Sequence, residues 1–181
     1  MEPADDDLIR QCKAGNTEAF GRLVRRYAGR ATQVALGLVG DHADAMDVSQ
    51  EAFVRAWRHI QKFRGESNFF TWYTSILRNV ALTWLRRRLA HADVDLMDAS
   101  AVPDGGIDPA VLAERSEQAE RLWEAVLRLP TRHREMIVLS HFEQLSYREI
   151  AQVLEIPVGT VMSRLHAARK ALRGRFTGDP S

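Results

Sequence analysis

Residues 129–173 read LPTRHREMIVLSHFEQLSYREIAQVLEIPVGTVMSRLHAARKALR, and the middle of this stretch decides the fold of the carboxy-terminal half. Ser146 and Glu149 make an S-x-x-E capping box, so a helix opens at Tyr147 and runs to Leu154. Glu155, Ile156 and Pro157 fit a tight turn. Pro157 or Val158 then starts a second helix towards Arg173, because proline at the first helical position forfeits no hydrogen bond. Ile150, Ala151, Leu154, Ile156, Val161 and Leu165 have the apolar pattern that packs two short helices across a three-residue turn. The pattern predicts a helix-turn-helix, whose second helix is shaped for the major groove of DNA.

That second helix offers Thr160, Ser163, Arg164, His166, Arg169, Lys170, Arg173 and Arg175, with no acidic residue between Val158 and Thr177. Hydroxyls and arginines near its start can meet base edges, while later cations reach phosphates. A helical hairpin with a basic tail competes with this reading. His166 faces solvent in this register, and no further ligand at metal spacing accompanies it. Upstream, Ala113–Leu127 predicts an amphipathic helix with Leu122, Ala125, Val126 and Leu129 apolar, ended at Leu129-Pro130. Thr131 begins another, carrying Met136, Ile137, Leu139 and Phe142.

The amino-terminal half is helical in pattern too, and nothing reads as a strand. Asp6 or Asp7 can cap a short helix through Leu8, Ile9 and Cys12 that stops at Gly15. Asn16 or Thr17 starts a longer one, with Phe20, Leu23, Val24, Tyr27, Ala31, Val34, Ala35 and Leu38 along one face. Gly40 and Asp41 mark a turn. In DAMDVSQEAFVRAW (44–57), Phe53, Trp57 and Ile60 make an apolar stripe, while Asp47, Gln50, Glu51 and Val54 share the other side. Those carboxylates could simply favour the positive end of the helix dipole. Next comes FRGESNFFTWYTSILRNVALTWLRRR (63–88), a loop at Gly65–Asn68 and then a helix that Ser67 or Asn68 could cap. Aromatics interleaved with Arg64, Arg78 and Arg86–Arg88 suit single-stranded nucleic acid, through stacking and phosphate contacts. Phe70, Tyr73, Ile76, Leu77, Val80, Leu82 and Leu85 fit a core equally well, and one helix has room for both faces.

Composition bounds the whole. The 181 residues are 45% apolar, 27% charged and 8% aromatic, with a net charge of +1. No run approaches the roughly 18 apolar residues of a membrane span, and the acidic start is unlike a signal peptide. The single cysteine, Cys12, excludes an internal disulfide framework, so the expected compartment is the cytoplasm. Residues 1–89 carry +4, residues 90–114 carry −6 with no cation, and residues 115–181 carry +3. Two basic modules, 1–89 and 115–181, joined by an acidic linker, 90–114, are therefore expected, Pro103, Gly105, Gly106 and Pro109 breaking regular structure between them.

The three quoted motifs, in this order and at these separations, resemble the extracytoplasmic-function sigma factors of the bacterial sigma-seventy family. The likeness covers about residues 8–89 as sigma domain 2 and 115–175 as sigma domain 4. It implies an all-α fold of two small helical domains, without cofactor, metal or catalytic residues. The D-x-x-Q-E helix of the family docks on the β′ clamp helices of RNA polymerase, which implies Asp47, Gln50, Glu51, Phe53 and Trp57 as polymerase-binding residues. Phe63, Arg64, Gly65, Glu66, Ser67, Asn68, Trp72 and Asn79 correspond to the part that captures the minus-ten element, and Arg86, Arg87 and Arg88 to contacts with upstream phosphates. Thr160, Ser163, Arg164, His166, Arg169, Lys170 and Arg173 correspond to the minus-thirty-five reader. Domain 4 of the family also meets the β flap, the linker threads the RNA channel, and an anti-sigma factor commonly restrains the whole. Met162 and Ala167 stand where relatives often carry a cation, and Thr83 where Asp or Asn is frequent.

Implied partners are thus core polymerase, promoter DNA and an anti-sigma factor, with no small-molecule substrate and no membrane insertion. A repressor or activator would leave the Asp47–Glu51 side without a purpose. A sigma mimic that only sequesters an anti-sigma factor would lack the aromatic and basic DNA determinants.

Overall fold

The computed structural model describes residues 3–90 and 117–177, and every regular element among them is helical, as expected. In chain order these are α1 (Asp5–Lys13), α2 (Thr17–Val39), α3 (His42–His59), α4 (Phe69–Leu89), α5 (Glu117–Leu127), α6 (Thr131–Ile137), α7 (Tyr147–Leu154) and α8 (Val158–Thr177). A 3-10 turn at Ile60–Lys62 follows α3, and α6 runs on as a π-helical stretch, Val138–Phe142. The acidic segment and the first residues of the predicted Ala113–Leu127 helix lie outside the described residues.

Local chemistry explains most boundaries. Asn16 caps α2 by accepting the amides of Glu18 and Ala19, and Gly40 ends it in the left-handed conformation at φ 84°. Asp41 caps α3 and Asn68 caps α4. The start of α1 differs from expectation: Ala4 occupies the cap position with no side-chain bond, and Asp5, Asp6 and Asp7 all lie in the first turn, where the dipole favours them. Asp5 is drawn there by partners on α2, pairing with Arg26 and accepting from the Tyr27 hydroxyl. Burial, and then that bond, push the Tyr27 phenol up to about 12.

Helices α1–α4 enclose an aromatic core in which Phe53 stacks on Tyr73 at 4.3 Å and Tyr27 on Phe70 at 5.1 Å. Helices α5–α8 enclose a second set, with Trp123, Met136, Ile150, Val161 and Leu165 buried. The two sets are in contact. At the end of α2 every residue from Val34 to Gly40 is buried, because α3 and α4 pack on one side and the α6 region on another. Gly37 lies in this seam, where an added Cβ would stand 2.4 Å from a methyl of Val138.

Polar groups cross the same seam. Arg134 is fully buried; its guanidinium donates to the Leu127 and Leu129 carbonyls at 3.0 Å and to the Leu38 carbonyl at 2.9 Å, so one cation serves the carboxyl ends of α5 and α2. Burial lowers its pKa to about 10, partly offset by Glu135. Arg78 pairs with Glu135 at 2.9 Å, and Arg30 with Glu143 at 3.0 Å while covering the Phe70 ring at 4.1 Å.

Candidate nucleic-acid and polymerase surfaces

The helix-turn-helix forms from its own residues. Ser146 and Glu149 exchange both bonds of the capping box, Oγ accepting the Glu149 amide and the carboxylate accepting the Ser146 amide at 2.9 Å. Glu155 turns the chain in the left-handed region at φ 54°. Val161, Leu165 and Ala168 anchor α8 to the core. The other side of α8 is presented outward: Ser163, Arg164, His166, Arg169, Lys170 and Arg173 are exposed and Thr160 is half-buried. Arg169 donates to the His141 ring at 3.1 Å, and burial, followed by that cation, lowers the His141 pKa. The Ser163 hydroxyl donates to the Thr160 carbonyl at 3.0 Å, which leaves its oxygen lone pairs to accept. Val158 and Met162 are exposed on the same helix, a feature the apolar pattern of residues 150–165 did not single out.

A second surface surrounds the Phe63–Asn68 loop. Lys62, Phe63, Arg64, Glu66, Ser67, Thr71, Trp72 and Ser75 line a cleft of about 200 Å³ that Gln152 of α7 closes on one side. Phe63 is its buried floor, tilted against Trp72 at 5.2 Å, with its carbonyl held by Lys13 at 2.6 Å. Gly65 supplies the turn at φ 75°. Arg64 and Glu66 are exposed and 3.9 Å apart, a pair too solvated to fix the loop. Trp72, Ser75, Asn79, Thr83 and Arg86 recur at helical spacing along one side of α4, so a strip runs from the cleft to the Arg86–Arg88 end. Asn79, Arg86 and Arg87 are exposed; Arg88 lies 3.5 Å from Asp44 and over the Trp84 ring at 5.1 Å. Asn68 has a second bond besides its cap. Its amide donates to Glu149 at 2.7 Å, beside the Thr71 hydroxyl at 3.1 Å, so the loop and the helix-turn-helix are joined.

The third surface is one side of α3. Asp47, Gln50 and Glu51 are exposed one turn apart, flanked by exposed Met46 and Val54, and Glu51 pairs with Arg55 at 2.8 Å. Phe53 is buried and Trp57 half-buried against Phe20 at 5.2 Å, so these two aromatics hold α3 from inside. Arg78, expected among the cations that face nucleic acid, instead pairs with the buried Glu135 of the other helical set. Arg30, Arg134, Glu135 and Glu143, which also join the two sets, were not among the predicted site residues, since their partners across the seam lie far away in sequence.

Comparison with known proteins agrees with this arrangement. The Sigma-70 region 2 family model matches residues 23–90, and the Sigma-70, region 4 model matches residues 119–172. The chain is 32% identical to the ECF RNA polymerase sigma factor SigW of Bacillus subtilis (strain 168), over 96% of this chain and 97% of that protein. It is 35% identical to the ECF RNA polymerase sigma-E factor of Escherichia coli (strain K12), over 93% and 92%. CnrH, in its complex with the cytosolic domain of CnrY, superposes with a TM-score of 0.73 at 29% identity, over 98% of this chain and 100% of that one. With both regions matched in order and the likeness running along nearly its whole length, the chain belongs to the ECF RNA polymerase sigma factors of the sigma-70 family.

Proposed function

We propose that this sigma factor binds core RNA polymerase through the exposed side of α3, captures the minus-ten element at the Phe63–Asn68 cleft, and reads the minus-thirty-five element with α8. Residues 1–89 act as domain 2, residues 90–114 as the acidic linker and residues 115–181 as domain 4. The observation that supports this most is the coexistence of three separate outward surfaces: the acidic side of α3, the aromatic and basic strip of α4, and the cationic side of α8. Asp47, Gln50 and Glu51 present carboxylates and an amide to polymerase. Arg64, Trp72 and Asn79 address an unpaired base, and Arg86–Arg88 the phosphates behind it. Ser163, Arg164 and His166 meet base edges, with Arg169, Lys170 and Arg173 on the backbone.

The protein contributes binding free energy and no covalent chemistry, needs no cofactor, and works in the cytoplasm beside its polymerase. Among the described residues no helix is long and apolar enough to cross a membrane. That CnrH forms a complex with the cytosolic domain of CnrY supports control of this chain by a bound protein as well, which this proposal takes to be an anti-sigma factor. The test is transcription from genomic fragments by core polymerase with and without this chain. Initiation at specific promoters only when it is added is the expected result; no promoter-specific transcript on any fragment would refute the proposal.

A further inference from the structure

One flank of the outward side of α8 is apolar where it would meet bases. Val161, Leu165 and Ala168 are buried, and the surface of its first ten residues carries Val158, Gly159, Met162, Ser163, Arg164, His166 and Ala167, with Val158 and Met162 together on one flank. Met162 is 56% exposed and Val158 39%, one turn apart. A lone exposed apolar side chain carries no meaning, but two on the first two turns of a helix-turn-helix second helix lie where base edges are read.

The polar groups nearby narrow the choice of base. A guanine is normally recognised by a cation bidentate to O6 and N7. No such cation stands beside Met162: Arg164 lies across α8 from it by spacing and addresses other base edges, Arg169 is engaged by His141, and Lys170 and Arg173 come later, where phosphates lie. Ser163, its proton given to the Thr160 carbonyl, arrives as an acceptor. An A·T pair offers what this side lacks a clash with: the thymine C5-methyl and the adenine N6 donor, both in the major groove.

We propose that Met162, supported by Val158, is a specificity-determining residue that selects thymine at the upstream promoter element by packing on its C5-methyl. This rests on the reading that α8 enters the major groove there. The test uses polymerase holoenzyme assembled with the full chain on a promoter it footprints, each thymine of the upstream element being replaced in turn by deoxyuridine, which lacks only that methyl. At one or two positions the replacement weakens binding about fourfold, the worth of one buried methyl group. Met162→Ala abolishes the thymine–uracil difference at that position, and Met162→Leu keeps it.

Indifference to uracil at every position overturns the inference, as does a Met162→Ala loss that is equal on both templates. Lys170→Ala and Arg173→Ala report separately on the groove reading, because they weaken binding to thymine and uracil templates alike. If upstream protection is absent altogether, or neither of those variants diminishes it, α8 is not in the groove and both readings fall.

Discussion

Glu149 belongs to two structures at once. It closes the capping box of α7 and accepts from Asn68 and Thr71 of the other helical set. Burial alone would raise its pKa, but the bonds from Ser146, Thr71 and Asn68 outweigh that and lower it. A depressed folded pKa means stability that is present above the ordinary glutamate range and lost as pH falls through the folded value. Glu143 works oppositely: burial raises its pKa against the pull of Arg30, so its contribution is present in acid and lost as pH rises. Thermal unfolding followed from about pH 5 to about pH 3 should therefore fall more steeply for the natural chain than for Glu149→Gln, in which that carboxylate is gone. On α3, Gln50→Ala with Glu51→Ala should weaken core-polymerase binding while the circular dichroism spectrum stays unchanged, since both side chains are exposed. Arg164→Ala should cost about 1–3 kcal/mol of promoter affinity with core binding intact. The first role of Glu149 was legible because its partner is three residues away; the second depends on a residue 81 positions away and leaves no local mark.

Among elements, caps were the most readable features, because the chemistry that starts a helix is contained in four residues. Asn16, Asn68 and Ser146 cap where the sequence placed candidates, and Asp41 caps at the predicted turn. The failure at α1 is instructive. Three successive aspartates compete for one position, and Arg26 and Tyr27, a helix away, hold Asp5 within the first turn. The continuous helix expected from Thr131 to Phe142 instead widens to π geometry after Ile137, with the Glu143 amide donating to the Val138 carbonyl at 3.0 Å. Two substitutions at the start of α4 separate its cap from its contact with α7. Asn68→Ala removes both and should lower stability by about 1 kcal/mol. Asn68→Asp keeps a capping oxygen but sets a carboxylate against Glu149, so the melting temperature should suffer less while the separation of the two helical sets, measured by energy transfer between dyes on α3 and α8, grows more.

At the scale of the molecule, Arg30 with Glu143, Arg78 with Glu135, and Arg134 with the end of α2 tie the halves, in addition to Asn68 and Thr71 on Glu149. None was read from the sequence, where Val34, Ala35 and Leu38 were placed on one face, although the unbroken apolar run VALGLV, Val34–Val39, is the kind of signal a helix end covered all round leaves. Ion pairs with a buried member contribute little net free energy once desolvation is counted, and the buried carboxylates Glu135 and Glu143 regain water on parting, so this seam is suited to reversible separation. Parting would also withdraw Gln152 from the cleft and leave it open to an unpaired base. The arginine that bridges the halves keeps its bonds to α5 when they separate and surrenders only the one to Leu38. Gly37 makes the seam addressable by a single carbon. Alanine there strengthens α2 as a helix by about 1 kcal/mol, yet its methyl has nowhere to go except into a branched valine side chain. Gly37→Ala should behave as a molecular shim: each half as well folded as before, the dyes farther apart, and a chain stocked in its extended form before any polymerase arrives.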